Sequence, residues 1–234
     1  GMLADLARAK AGDLILLHGC CHNPTGADLT RADWQAVTDL CVATGAIPFV
    51  DMAYQGFGDG LEEDAAGLRL LATSLPEVFV AASCSKNFGL YRERVGAVLI
   101  VTDAKPVADG ILAAMNRQNF AFPPDHGARV VQDILGDATL AATWRAELDG
   151  MRRVMQANRS ALADALRTAT GSDRFGFLAA HRGMFSLIGA SAQQVEILRE
   201  THGIYLVGDG RMNVAGLTPD AVPRVAQAIA QVLA

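Results

Sequence analysis

The stretch SCSKNFGLYRERVG, residues 83–96, sets a lysine just after the apolar run VFVAA, with serines beside it and arginines close behind. Lysine is among the residues least often buried. This chain uses it only at Lys10, Lys86 and Lys105, although it has 20 basic residues in all. Lys86 is therefore the first candidate for chemistry. Two other strand-like runs end in comparable groups. DLILLHG (13–19) passes through His18 into CCHNPTG, with Asn23, and IPFVDMA (47–53) passes through Asp51 to Tyr54. Ligands of open α/β sheets bind beyond the carboxyl ends of the strands. His18, Asn23, Asp51, Tyr54, Ser83, Ser85 and Lys86 are thus expected along one edge. The set suits pyridoxal phosphate chemistry. A lysine amine forms a Schiff base with an aldehyde, and a carboxylate keeps the pyridine nitrogen protonated so that the ring accepts electrons. Hydroxyl and amide groups tune the ring oxygen, and an arginine with serines neutralises a phosphate.

The elements that must position these groups read as alternating strands and helices. Besides the two runs above, VFVAASCSK (78–86) and VGAVLIVT (95–102) are short and almost continuously apolar, the pattern of strands buried on both faces. Between the first two lies a helical pattern with Thr30 as N-cap and Gly45 as its stop. EEDAAGLRLLATSLP predicts a second helix before the third strand. This is α/β grammar with a mostly parallel sheet. Beyond residue 103 the chain reads as helical, with one long helix over 137–170. FLAAHRGMFSLIG, SAQQVEILRETHG, IYLVGDGRMNVAG and TPDAVPRVAQAIAQVLA then read as strand, helix, strand, helix. A boundary near Gly150 separates a domain over 1–150 from a small α+β domain over 151–234.

Composition narrows the classes. With 234 residues and 51% hydrophobic content, the chain can build one large core or two modest ones. A net charge of −5, spread without long runs, argues against a nucleic-acid surface or a polybasic membrane patch. No apolar run reaches membrane-spanning length, and GMLADLARAKAGD lacks a signal-peptide core. The four cysteines show no disulfide framework, so a cytoplasmic protein is expected. CCH at 20–22 has no second cluster at ligand spacing, and no metal site is expected.

In order and spacing, HGCCHNPTG, DMAYQGF, SCSKNFGLYRERVG and GRMNVAG resemble the class I aspartate and aromatic amino-acid aminotransferases, and the likeness runs along the whole chain. It implies a type I pyridoxal-phosphate fold, with 1–150 as the C-terminal part of the large cofactor-binding domain and 151–234 as the small C-terminal domain. It implies that Lys86 is the Schiff-base lysine and proton shuttle, that Asp51 pairs with the pyridinium nitrogen, and that His18 supports Asp51. It places Asn23 and Tyr54 on the phenolic oxygen, and Ser83, Ser85 and Arg94 at the phosphate of pyridoxal 5'-phosphate. Arg211 would clamp the substrate α-carboxylate. Arg117 would reach across a homodimer to a distal carboxylate. The substrates implied are amino acids and 2-oxo acids.

Each residue also has a plainer use. Lys86 could snorkel at a strand end, Asp51 cap a turn, His18 sit satisfied in the core, and residues 23–26 form a simple turn. Arg211 and Arg117 could lie at the surface. Where the family commonly carries polar groups after the distal arginine, this chain reads NFAFPP, and Phe120 and Phe122 favour aromatic or broad-range substrates over aspartate alone. Residue 1 matches the middle of the family's large domain. The expectation is that an N-terminal portion is lacking, with its phosphate loop, its ring-stacking aromatic and a tyrosine given to the partner subunit. The chain would then be an inactive or poorly active truncated aminotransferase. Two other functions remain open: a lyase or decarboxylase on the same cofactor scaffold, or a non-catalytic remnant serving binding or assembly.

Overall fold

Four of the apolar runs pair into one sheet in the computed structural model of the chain, which describes residues 1–233. After a short helix α1 (Met2–Leu6), strands β1 (Leu14–His18), β2 (Ile47–Met52) and β3 (Val78–Ser83) lie parallel and in sequence order. Helix α2 (Arg31–Thr44) connects the first pair and α3 (Ala66–Ser74) the second. The start of α2 is fixed by a capping box. The Thr30 hydroxyl accepts from the Asp33 amide at 3.2 Å, and the Asp33 carboxylate accepts from the Thr30 amide at 2.9 Å. Gly45, at φ +73°, ends the helix in the left-handed conformation that costs glycine no Cβ clash.

Strand β4 (Gly96–Val101) joins β3 antiparallel. The turn between them carries no crossover helix, and without one a neighbouring strand must run back. Helices α2 and α3 cover a single face of the sheet, where Ile15, Leu17, Val50 and Val80 pack with Trp34 and Leu71. Gly67 lets α3 approach closely, since a Cβ there would lie 2.2 Å from the Trp34 indole. The other face is open, with Leu14 62% and Leu16 65% exposed. This corrects the expectation of strands buried on both faces: helices lie over one side only, so burial alternates along β1 and β2 with the two-residue period of the pleat. The third strand also stops at Ser83, three residues short of Lys86.

Beyond the sheet come α4 (Lys105–Phe120), α5 (His126–Gly136) and the 33-residue α6 (Ala138–Thr170). The chain divides into two compact units inside α6, between Glu147 and Leu148. The first holds the four-stranded sheet. The second begins at Leu148 and takes in two loop segments from earlier in the chain, 20–28 and 56–60. Within the second unit, Gln156 donates to the Gly58 carbonyl at 2.8 Å and Arg152 donates to that of Asp59, tying the shorter segment to α6.

The second unit continues with α7 (Phe177–Ala180), β5 (Phe185–Leu187), α8 (Ala192–His202), β6 (Arg211–Asn213) and α9 (Val222–Leu233). Strands β5 and β6 pair antiparallel. Its core gathers Leu162, Leu166, Phe175, Leu198, Val214 and Ile229. The sequence reading differs here in two places. FLAA forms a turn of helix rather than strand, and IYLVG at 204–208 has no strand partner among the described residues, with Tyr205 80% exposed.

Candidate functional site

In the first unit, strand register brings three polar side chains to one edge. His18 pairs directly with Asp51. Asp51 in turn pairs with Ala81, two residues before Ser83. Because side chains alternate, His18, Asp51 and Ser83 share the open face at the carboxyl ends of their strands. Asp51 Oδ1 accepts from the Ala53 amide at 2.8 Å, which holds the carboxylate in place. Ser83 Oγ accepts from the Ser85 amide at 3.1 Å, and Ser85 is buried. Lys86 is half-buried in the turn beyond. Its Nζ lies 4.5 Å from the centroid of the Tyr54 ring, and Tyr54 is itself buried.

The turn that carries Lys86 is held from several sides within this unit. The Cys84 amide donates to Val95 at 3.0 Å, and that of Gly89 to Lys86 at 3.1 Å. Asn87 Nδ2 donates to the Gln55 carbonyl at 3.2 Å. Trp144 Nε1 donates to the Asn87 carbonyl at 2.7 Å, and its ring stacks on Phe88 at 4.3 Å. Burial pushes the Cys84 thiol up from its ordinary value, so at neutral pH it stays protonated and is a poor competitor for an electrophile near Lys86. Arg94 has left-handed backbone, φ +53°, and its guanidinium donates to the Tyr91 carbonyl at 3.0 Å rather than to Ser83 or Ser85. Arg117 is exposed at the end of α4, its guanidinium 4.9 Å from the Phe122 ring, with Phe120 and Phe122 also exposed.

Asn23 and Arg211 belong to the second unit. Arg211 opens β6. Its Nη1 donates to Asn23 Oδ1 at 2.8 Å, and its guanidinium lies 5.1 Å from the Phe185 ring. Leu187 is the register partner of Arg211, so Phe185, two residues earlier, shares its face of the two-stranded sheet. Arg211 Nε is buried and has no hydrogen-bond partner among the described residues; the Asp209 carboxylate stays 4.0 Å away. A guanidinium steadied at one nitrogen, stacked on a ring and left with an unpaired N–H suits bidentate capture of a carboxylate. Sequence reasoning missed Phe185. In GMFSLIG it is one apolar residue among several, and only the strand pairing reveals what lies over it.

Comparison with known proteins places the chain. The family model for aminotransferase class I and II matches residues 1–229. The chain belongs to that family. The chain is 55% identical over 235 residues to the aromatic-amino-acid aminotransferase of Paracoccus denitrificans, covering 99% of its own length and 60% of the relative's. It is 51% identical to the aromatic-amino-acid aminotransferase of Pseudomonas aeruginosa, covering 100% and 59%. It is 46% identical to the aspartate aminotransferase of Escherichia coli, covering 99% and 59%. The chain thus spans about 60% of the length of the curated relatives it matches. Among solved structures, an aromatic amino acid aminotransferase with 3-indolebutyric acid superposes with a TM-score of 0.97 at 54% identity, over 100% of this chain and 60% of that one. The Burkholderia pseudomallei aromatic-amino-acid aminotransferase, covalently bound to pyridoxal phosphate, gives 0.94 at 45% identity, over 100% and 59%. The fold is the type I fold of the pyridoxal-phosphate-dependent aminotransferases.

Proposed function

We propose that this protein is a pyridoxal-phosphate-dependent aminotransferase that moves an amino group between an amino acid and a 2-oxo acid. Aromatic substrates are favoured, and dicarboxylic ones accepted. The observation that carries the reading is the joint presence, at one sheet edge, of the Lys86 amine against Tyr54 and of a fixed Asp51 carboxylate. The kinds of group on the first unit suit the cofactor: an amine for its aldehyde, a carboxylate for its ring nitrogen and hydroxyls for its phosphate. Bound pyridoxal phosphate supplies an aldehyde and an electron-withdrawing ring.

Lys86 would hold the cofactor through Nζ and, once freed, carry the proton at the substrate's Cα. Asp51, supported by His18 beside it in register, would keep the proton on the ring nitrogen. Tyr54 and Asn23 would donate to the phenolic oxygen. Ser83, Ser85 and Arg94 would bind the phosphate. Arg211 would take the substrate α-carboxylate, with Asn23 steadying it, and Arg117 a distal carboxylate. The domain roles follow: the cofactor-binding large domain lies on the Lys86 side of the chain, and the small domain on the C-terminal side.

Support for aromatic preference comes from the exposed Phe120 and Phe122 beside Arg117, and from relatives at 55% and 51% identity that bear that name. We place the protein in the cytoplasm, as a homodimer. The sequence spacing of its four cysteines, two of them adjacent, suits a reducing compartment, and the exposed Arg117 is available to a second subunit. Among the described residues, no helix is long and apolar enough to cross a membrane.

Borohydride reduction of the intact protein loaded with pyridoxal phosphate, followed by peptide mapping, tests the central assignment. The label is expected on Lys86. A label on Lys10 or Lys105, with Lys86 unmodified, would refute it.

A further inference from the structure

Arg159, on α6, is 1% exposed, yet no carboxylate is among its hydrogen-bond partners. Its bonds go to the carbonyls of Leu178, Arg182, Gly183 and Phe185 and to the Ser186 hydroxyl. The shortest are 2.7 Å to Ser186 Oγ and 2.8 Å to the Gly183 and Phe185 carbonyls. Burial pushes its pKa down to about 10, which leaves it charged at neutral pH. A buried charge without an ion partner is a poor way to stabilise a core, and an apolar side chain of similar volume usually does as well. What the guanidinium does supply is shape. Its planar donors draw four carbonyls of one short segment toward a single point.

That segment carries one support of Arg211 and fastens the other. Phe185 provides the ring beneath the Arg211 guanidinium. Just before it, the Arg182 amide donates to the Gly26 carbonyl at 2.9 Å, and His181 Nδ1 lies 2.9 Å from the Thr25 carbonyl. Gly26, at φ +76°, allows this approach, because a Cβ there would sit 2.5 Å from the Phe185 carbonyl and 3.1 Å from Arg159 Nη2. The turn so held presents Asn23, whose Oδ1 accepts from Arg211. Phe185 below and Asn23 beside Arg211 thus both depend on a segment that Arg159 fastens from inside the second unit.

We propose that Arg159 is a positioning residue for substrate recognition: by fixing Phe185 and the turn at 23–26, it holds the Arg211 fork in the orientation that takes a carboxylate. This rests on the reading of Arg211 as the carboxylate clamp. Arg159 touches no substrate itself.

The test measures binding of 3-phenylpropionate, a carboxylate with no amine to react, to the intact protein loaded with pyridoxal phosphate. Arg159→Lys keeps the charge but loses the planar fork, and is expected to raise the Kd at least tenfold while the absorbance spectrum of the loaded protein is unchanged. In an Arg211→Ala background the same substitution should change the Kd less than twofold, since the group it positions is gone. An Arg159→Lys protein that folds and binds within twofold of wild type overturns the proposal. So does a tenfold loss that persists in the Arg211→Ala background. Should Arg159→Lys fail to fold, Ser186→Ala removes one acceptor only; a threefold or larger loss supports the proposal, and unchanged binding overturns it. Arg211→Ala that by itself binds 3-phenylpropionate like wild type would remove the clamp reading, and the proposal with it.

Discussion

Trp144 offers a local test of what holds the Lys86 turn. Its indole makes two separable contributions: the Nε1–H bond to the Asn87 carbonyl at 2.7 Å, and a near-parallel stack on Phe88, 11° between planes. Trp144→Phe removes the first and keeps most of the second. Asn87 is only 9% exposed, so its carbonyl loses a partner in a place that water reaches poorly. Leaving a buried acceptor unpaired costs about 1–3 kcal/mol. A cavity of about 450 Å³ lined by Asn87, Phe88 and Trp144 lies beside the indole, and a water held there could replace part of the lost bond, which moves the expectation toward the low end. We expect Trp144→Phe to destabilise by about 1–2 kcal/mol. In urea this reads as a lowered midpoint with an unchanged slope. Trp144→Ala should cost a further ~0.5–1.5 kcal/mol for the lost aromatic pair, added to the loss of the ring's own apolar burial. Hydrogen exchange locates the effect: the amides of Cys84 and Gly89 should exchange faster in Trp144→Phe, while those of α9 keep their protection relative to global unfolding. A Trp144→Phe protein with wild-type stability and wild-type exchange at Cys84 and Gly89 would refute the reasoning.

Two further substitutions test other parts of the chain. Arg211→Lys keeps a positive charge but cannot bond Asn23 and a carboxylate in one plane, so kcat/KM of the intact enzyme should fall by about 1.5–3 kcal/mol in transition-state terms, roughly 10- to 150-fold; steady-state kinetics with phenylalanine would check it, and unchanged kcat/KM would exclude the clamp. Thr30→Ala removes the hydroxyl that caps the Asp33 amide, while the backbone amide at 30 can still donate to the Asp33 carboxylate, and should lower stability by about 1 kcal/mol without altering substrate KM, measured by thermal unfolding beside an activity assay.

Local chemistry was the legible part of this sequence. Thr30 and Gly45 mark the ends of α2 because capping and left-handed stops depend on a few adjacent atoms. His18, Asp51 and Ser83 were legible as strand-end groups for a similar reason: a period of two carries each to a known side once the strand is recognised. The state of the faces was not legible. Leu14 and Leu16 read as core because a continuous apolar run looks alike whether one face is covered or two, and the helices decide which. Contacts between residues far apart in sequence were hidden altogether. Nothing near Trp144 announces Asn87, 57 positions away, and nothing in QANRSAL distinguishes the buried Arg159 from a surface arginine. The expected strand over FLAA failed because four apolar residues suit a turn of helix equally well, and only packing chooses.

For the gene, the edge shared by β1, β2 and β3 behaves like a second reading frame, two residues long. Losing one codon inside β2 ahead of Asp51, with the pairing otherwise kept, would turn the carboxylate toward α2 and α3 and bring a neighbour's apolar side chain out beside His18. Exchanging Leu14, Leu16 or Phe49 for another residue leaves that frame intact, whatever it does to stability. Divergence through these strands is therefore expected to proceed by replacement of residues rather than by their gain or loss, and changes of length to be tolerated in connections that carry no register, such as the exposed stretch at 121–125 between α4 and α5.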